Sequence, residues 1–166
     1  MMSRRNFLGG TAVAAALAAA GLTLRGRSAA ADDAATFEVT ESDAEWRAQL
    51  TAEQYRVLRK HGTERPGTSP LNGEKRAGIY HCAGCDLALF SSATKYDSGT
   101  GWPSFYAPLD NAIGTSEDRS FFMTRTEVHC RRCGGHQGHV FEDGPKPTGL
   151  RYCINGVALR FVPAEA

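Results

Sequence analysis

Between residues 42 and 60 the apolar side chains recur at helical spacing. Trp46 and Leu50 lie four apart and Tyr55 and Leu58 three apart, which predicts one or two short helices ending near Lys60. Ser42 and Glu45 form a Ser-x-x-Glu capping box at the start, and Gly62 is the expected stop. Pro66, Gly67, Pro70, Asn72 and Gly73 then predict an irregular arm over 64–78. Beyond Ile79 the pattern becomes short apolar or alternating runs: Ile79–His81, Leu87–Phe90, Phe105–Tyr106, Phe121–Glu127, His139–Phe141, Arg151–Ile154 and Val157–Val162. Asp97-Ser98-Gly99, Asp143-Gly144-Pro145 and Asn155-Gly156 separate them as turns. No long amphipathic helix follows, so the pattern predicts a mainly β fold, small antiparallel sheets with short helices at the N-terminal end.

Residues 1–31 follow a different rule. They hold four arginines, no acid, and an uncharged run from Phe7 to Leu24 rich in alanine. Basic residues, an apolar run and the small residues Ser28-Ala29-Ala30-Ala31 make the order of a cleavable export signal. Ser3-Arg4-Arg5-Asn6-Phe7-Leu8 resembles the twin-arginine signal, which directs folded proteins out of the cytoplasm. An uncleaved membrane anchor is the alternative, but alanine and glycine insert weakly. The expected organisation is a signal at 1–31, a linker at 32–36 and one domain over 37–163, in an exported, periplasmic protein. Loss of the four arginines takes the formal charge from +1 to −3. With 19 basic and 18 acidic side chains in the whole chain there is no electrostatic footprint for nucleic acid. The 42% apolar content excludes wholesale disorder.

The five cysteines change the picture most. Cys82-Ala83-Gly84-Cys85 and Cys130-Arg131-Arg132-Cys133 are two Cys-x-x-Cys turns, and two such turns supply the tetrahedral thiolate set that zinc prefers. A closed four-sulfur site is structural. Two disulfides or redox dithiols are the alternative in an oxidising compartment, but adjacent bridges are strained, so zinc is the favoured reading. Cys153 is left without a partner. It is either a buried small hydrophobe or a reactive thiol; Arg151, two residues away on the same strand face, would favour the thiolate, and His136 and His139 come shortly before it.

A set of longer motifs then narrows the choice. These are Tyr80-His81-Cys82-Ala83-Gly84-Cys85-Asp86, Lys95-Tyr96-Asp97-Ser98-Gly99, Gly101-Trp102-Pro103-Ser104-Phe105, Cys133-Gly134-Gly135-His136, Gly138-His139-Val140-Phe141 and Pro147-Thr148-Gly149-Leu150-Arg151-Tyr152-Cys153-Ile154-Asn155. In this order the chain resembles the B-type peptide-methionine sulfoxide reductases over about residues 37–163. The resemblance implies two antiparallel sheets, a zinc site remote from the active centre, and reduction of the R epimer of methionine sulfoxide in proteins and peptides. It implies Cys153 as nucleophile, Cys82, Cys85, Cys130 and Cys133 as zinc ligands, and His139 and His136 as active-site histidines. Trp102 corresponds to the aromatic wall that receives the substrate, Arg151 and Asn155 to polar positions around the thiol, and Asp143 to the acid that orients the histidines.

Departures from the family's pattern matter as well. Thr100 stands where many relatives have a resolving cysteine, which predicts that a sulfenic acid on Cys153 is recycled by an external thiol, thioredoxin-like or other. Gly156 replaces a serine. Gly67 replaces an aromatic, a change expected to loosen the arm. A monomer is expected. The competing class is a zinc-stabilised binding module in which Cys153 is inert; a cysteine hydrolase is disfavoured because acyl transfer needs no sulfenate.

Overall fold

The computed structural model describes residues 37–165. The signal and linker read at 1–36, with the anchor alternative, lie outside the described residues. Two helices open the fold, α1 (Asp43–Gln49) and α2 (Ala52–Lys60), each closed at its start by a complete capping box: Ser42 with Glu45, and Thr51 with Gln54. His61, not Gly62, ends α2, in the left-handed conformation.

Nine strands follow: β1 (Gly78–Cys82), β2 (Ala88–Ser91), β3 (Lys95–Tyr96), β4 (Ser104–Phe105), β5 (Ile113–Asp118), β6 (Arg125–Cys130), β7 (His136–Phe141), β8 (Arg151–Ile154) and β9 (Leu159–Pro163). They form two antiparallel sheets, a small one ordered β2-β1-β9 and a larger one ordered β3-β4-β8-β7-β6-β5. The mainly β, two-sheet architecture is therefore present. Aromatic rings join the sheets. Phe105 on β4 stacks on Phe90 of β2 with ring centres 4.4 Å apart and meets Tyr80 of β1 edge-on at 5.0 Å. Burying a ring or leucine of this kind stabilises the fold by about 1.5–3 kcal/mol.

Some element bounds differ from the sequence reading. The run Phe121–Glu127 splits: residues 120–122 make a 3-10 turn and the strand starts at Arg125. Asn155-Gly156 leads into a 3-10 turn over Gly156–Ala158, which delays the last strand to Leu159. β3 and β5 are additional. β5 has no buried residue and no apolar alternation, and exists through its ladder with β6.

The helices pack where the two Cys-x-x-Cys turns meet. Trp46 and Leu58 are buried, and a Cβ at Gly84 would touch both at 3.6 Å. The Arg59 guanidinium donates to the Cys133 carbonyl at 2.9 Å, fixing α2 to the second turn.

Candidate active site

Cys82 and Cys130 end strands β1 and β6, and each is followed by a turn that returns a second thiol to the same point. The four sulfurs of Cys82, Cys85, Cys130 and Cys133 all lie within 4.8 Å of one another. Cys82 and Cys133 are 3.8 Å apart, Cys85 and Cys130 3.5 Å. Thiolates about 2.3 Å from a tetrahedral ion stand about 3.8 Å from each other, whereas a disulfide closes to about 2.05 Å. The spacing fits a metal and not two bridges, and the set could hold one ion. Gln137, fully buried, donates to the Cys82 sulfur at 3.4 Å.

Cys153 lies on β8, an interior strand, paired with Ser104 of β4 on one side and His139 of β7 on the other. Register partners in an antiparallel pair project to the same face, so sequence distance disappears and the histidine stands beside the sulfur. Gly138 makes this possible. A Cβ there would overlap the carbonyl oxygen of Cys153. Over the sulfur is a cavity of about 120 Å³ lined by Trp102, Arg125, His139, Phe141 and Asn155 with Cys153 itself.

Each group around the cavity is held by a named partner. The Trp102 indole donates to the Glu64 carbonyl at 2.9 Å, which fixes the ring plane. His139 Nε2 is 2.7 Å from the Asp118 carboxylate, which also takes Arg125 at 2.7 Å. Hydrogen bonds from Ser120 and then His139 hold Asp118 well below the usual carboxylate range. An ionised Asp118 puts the imidazole proton on Nε2 and leaves Nδ1 as the free acceptor. Burial lowers the pKa of His139 more than Asp118 raises it, so the ring rests neutral at neutral pH. The Thr100 hydroxyl is 3.8 Å from the Cys153 sulfur.

Burial pushes the Cys153 thiol up; the Thr100 hydroxyl and the Arg151 guanidinium pull the other way without offsetting it. The expectation that Arg151 gives a resting thiolate is thus only half met: its field has the right sign, and desolvation outweighs it. Asp143 explains part of this. Both its oxygens take the Arg151 guanidinium at 2.8 Å, and the cation sits over the Phe141 ring, 4.3 Å from its centre. Asp143 therefore orients Arg151 and not the histidines; the chain doubles back from Gly144, whose amide donates to the Gly149 carbonyl, and sets 143 opposite 151.

His136 is also displaced from its expected place. It is 3% exposed, behind His139 with ring centres 5.4 Å apart, and its Nδ1 is 2.6 Å from Glu127. It does not line the cavity at the thiol. Asn155 does line it, yet most of its amide is engaged elsewhere: Oδ1 accepts from the Glu64 amide and Nδ2 donates to the Gln137 carbonyl. Glu64, Asp118 and Glu127 carry no motif that marks them in the sequence. Glu64 joins three parts of the site, since its carboxylate also accepts from the Gly156 amide at 2.7 Å. The two glycine departures read differently in three dimensions. A Cβ at Gly156 would overlap the Ser69 hydroxyl, so Ser69 fills that space. The arm is tied at Gly67, whose amide donates to the Gly101 carbonyl at 2.7 Å.

Comparison with known proteins places the chain in a family. Residues 50–163 match the SelR domain, and residues 1–21 match the twin-arginine translocation pathway signal sequence. The chain is 62% identical over 122 residues to a peptide methionine sulfoxide reductase of Pseudomonas putida (strain W619), covering 73% of this chain and 92% of that protein. It is 54% identical over 132 residues to the corresponding protein of Agrobacterium fabrum, covering 79% and 98%. With that of Methanosarcina mazei it shares 55% over 129 residues, covering 77% and 92%. Among the described residues no helix is long and apolar enough to cross a membrane.

Proposed function

The chain belongs to the SelR-domain, B-type methionine sulfoxide reductases, and on that premise we propose that Cys153 attacks the sulfur of an R-methionine sulfoxide held against Trp102. The enzyme is an oxidoreductase that reduces methionine sulfoxide, and it bears an export signal. The observation that supports the assignment of roles is the register pair of Cys153 with His139 beneath one small cavity.

The proton inventory gives the order of events. The resting site holds a neutral thiol and a neutral imidazole with a free Nδ1. His139 takes the thiol proton as the sulfur approaches the positive sulfoxide sulfur, then delivers it to the sulfoxide oxygen. The Arg151 cation, set by Asp143, favours the transient thiolate. The S–O bond to the substrate breaks as oxygen passes to Cys153, so thiol plus sulfoxide become sulfenic acid plus thioether. Trp102 offers the S-methyl group an apolar face whose plane Glu64 fixes, and this asymmetry selects one epimer. Asn155 and His136 act as struts, the first between the arm and β7, the second behind His139.

The sulfenic acid is then reduced by two equivalents of an external thiol, which leave as a disulfide with release of water. Thr100 has no sulfur with which to form an internal bridge. Client proteins bearing methionine sulfoxide and a thioredoxin-like or other thiol donor are the partners, met in the periplasm. The four clustered cysteines hold zinc, which cross-links β1 and β6 and takes no part in the chemistry; metal analysis, with loss of cooperative unfolding on chelation, tests that.

The deciding experiment is turnover of separated R and S sulfoxides. The R epimer is consumed, the S epimer is not, and Cys153→Ser loses R turnover. Full R-epimer activity in Cys153→Ser would falsify the assignment and favour a binding module with an inert cysteine.

A further inference from the structure

Beside the catalytic cavity lies a larger one of about 460 Å³, and the reaction described above makes no direct use of it. Three of its groups converge on a single point. His61 Nδ1 and His136 Nδ1 lie 3.0 Å and 2.6 Å from the same carboxylate oxygen of Glu127. The two rings are 5.2 Å apart and tilted by 41°, so they approach that oxygen from different sides.

We propose that His61, Glu127 and His136 form a second cation site, which takes a divalent transition-metal ion of the zinc class and inhibits the enzyme when filled. Two imidazole nitrogens and one carboxylate oxygen are the donor set of three-ligand zinc centres, with the fourth position open to solvent or another ligand. Here the three donor atoms fall within 4.8 Å of one another. Nitrogen and oxygen donors about 2.0–2.1 Å from a tetrahedral ion stand about 3.3–3.4 Å apart. The ion therefore needs the His61–Glu127 contact to open by about 0.3–0.4 Å and the His136–Glu127 contact by about 0.7–0.8 Å.

His61 is free to adjust by itself, and the wider opening at His136 requires the Glu127 carboxylate to turn about its hydrogen bond with Ser116. His136 is buried on β7 and Glu127 is anchored by the Ser116 hydroxyl at 2.7 Å, whereas the His61 side chain is 64% exposed at the end of α2. Burial works against ionisation of Glu127, and the hydrogen bonds from His136, His61 and Ser116 together overcome it and hold the carboxyl far below its ordinary value. On binding, each ring gives up its Nδ1 proton to solvent or moves it to Nε2, and Nδ1 ligates.

Inhibition follows from the neighbour. His139 lies edge-on to His136 with centres 5.4 Å apart. A divalent charge on His136 disfavours the imidazolium that His139 must become to protonate the sulfoxide oxygen. The site differs in chemistry from the four-thiolate set, which is closed and lies at the ends of β1 and β6.

The test uses the full exported enzyme with its four-cysteine site already loaded with zinc. Titration with Co²⁺, followed by calorimetry and by the visible d–d spectrum, is expected to give one added equivalent with a nitrogen/oxygen signature. Single-turnover methionine formation without added thiol is expected to slow as that equivalent binds. His61→Ala, at an exposed position, is expected to lose both the equivalent and the inhibition while its melting temperature is kept. His61→Asp, which restores an oxygen donor, recovers binding in part. No added equivalent in the wild type, or undiminished binding in His61→Ala, overturns the site. An equivalent that persists in His61→Ala and vanishes in Cys153→Ser places the ion on the catalytic thiol and likewise overturns it.

Discussion

His139 and Cys153 are register partners across the β7–β8 ladder, and Gly138 is the residue that lets the two strands close far enough for them to share one cavity. The pair joins a neutral base to a neutral thiol, each held uncharged chiefly by burial. On the mechanism proposed above, charge separation in this site is a step of the reaction and not a property of the resting enzyme.

His139→Ala is expected to lower kcat by roughly 10²–10⁴-fold, the usual contribution of a positioned acid–base group. Asp118→Asn is expected to cost less and to act through pH. Because the Asp118 carboxylate raises the pKa of His139, its loss lowers that pKa further, and the acid limb of kcat/KM moves to lower pH. An unmoved acid limb would separate Asp118 from the chemistry.

Cys153 should resist alkylation until the pH exceeds the ordinary thiol value of 9.0. The free enzyme is treated with iodoacetamide across a pH series and the labelled peptide quantified. Arg151→Met removes a cation that favours the thiolate and leaves Asp143 in place, so the midpoint rises further. A midpoint below 9 in the free enzyme would mean that Arg151 outweighs desolvation.

Ser69 and Gly156 share one volume, and substituting either should expose the other. Gly156→Ser is expected to destabilise by about 1–3 kcal/mol through overpacking. The same change in a Ser69→Gly background should be nearly neutral. Urea unfolding of the four proteins measures the coupling, and simple additivity of the two substitutions would disprove the shared volume.

Thr100 stands 3.8 Å from the Cys153 sulfur. Thr100→Cys is expected to trap an internal disulfide to Cys153 after one turnover without reductant, seen as a loss of two hydrogens in the intact mass. The wild type retains an added oxygen instead, or a mixed disulfide once a thiol is supplied.

Much of this was legible along the chain because it is local. Two Cys-x-x-Cys turns need only their own backbones to pair thiols, and Ser42 with Glu45 caps α1 within one turn. The small antiparallel sheets followed from short alternating runs, and their number, two, from the family resemblance. β5 left no trace, since Ile113-Gly114-Thr115-Ser116-Glu117-Asp118 has an exposed, polar face and owes its strand to β6. Glu64, Asp118 and Glu127 were silent for a related reason. Their partners lie far off in sequence or across a ladder, and no neighbour in the chain distinguishes a carboxylate with a buried partner from one in open solvent. The role of Asp143 came from the family resemblance alone, and the return of the chain at Gly144 carries it to Arg151.

Strand β8 is hydrogen-bonded along both edges, by β4 and by β7. A backbone stitched on two sides resists displacement of Cys153. If the sulfur is oxidised in the way proposed above, the electron donor has to bring its own thiol to the cavity that receives the substrate. Repair would then proceed in two visits, the damaged protein first and the donor second. The two would compete for one place, so an excess of oxidised clients would slow the enzyme's own regeneration.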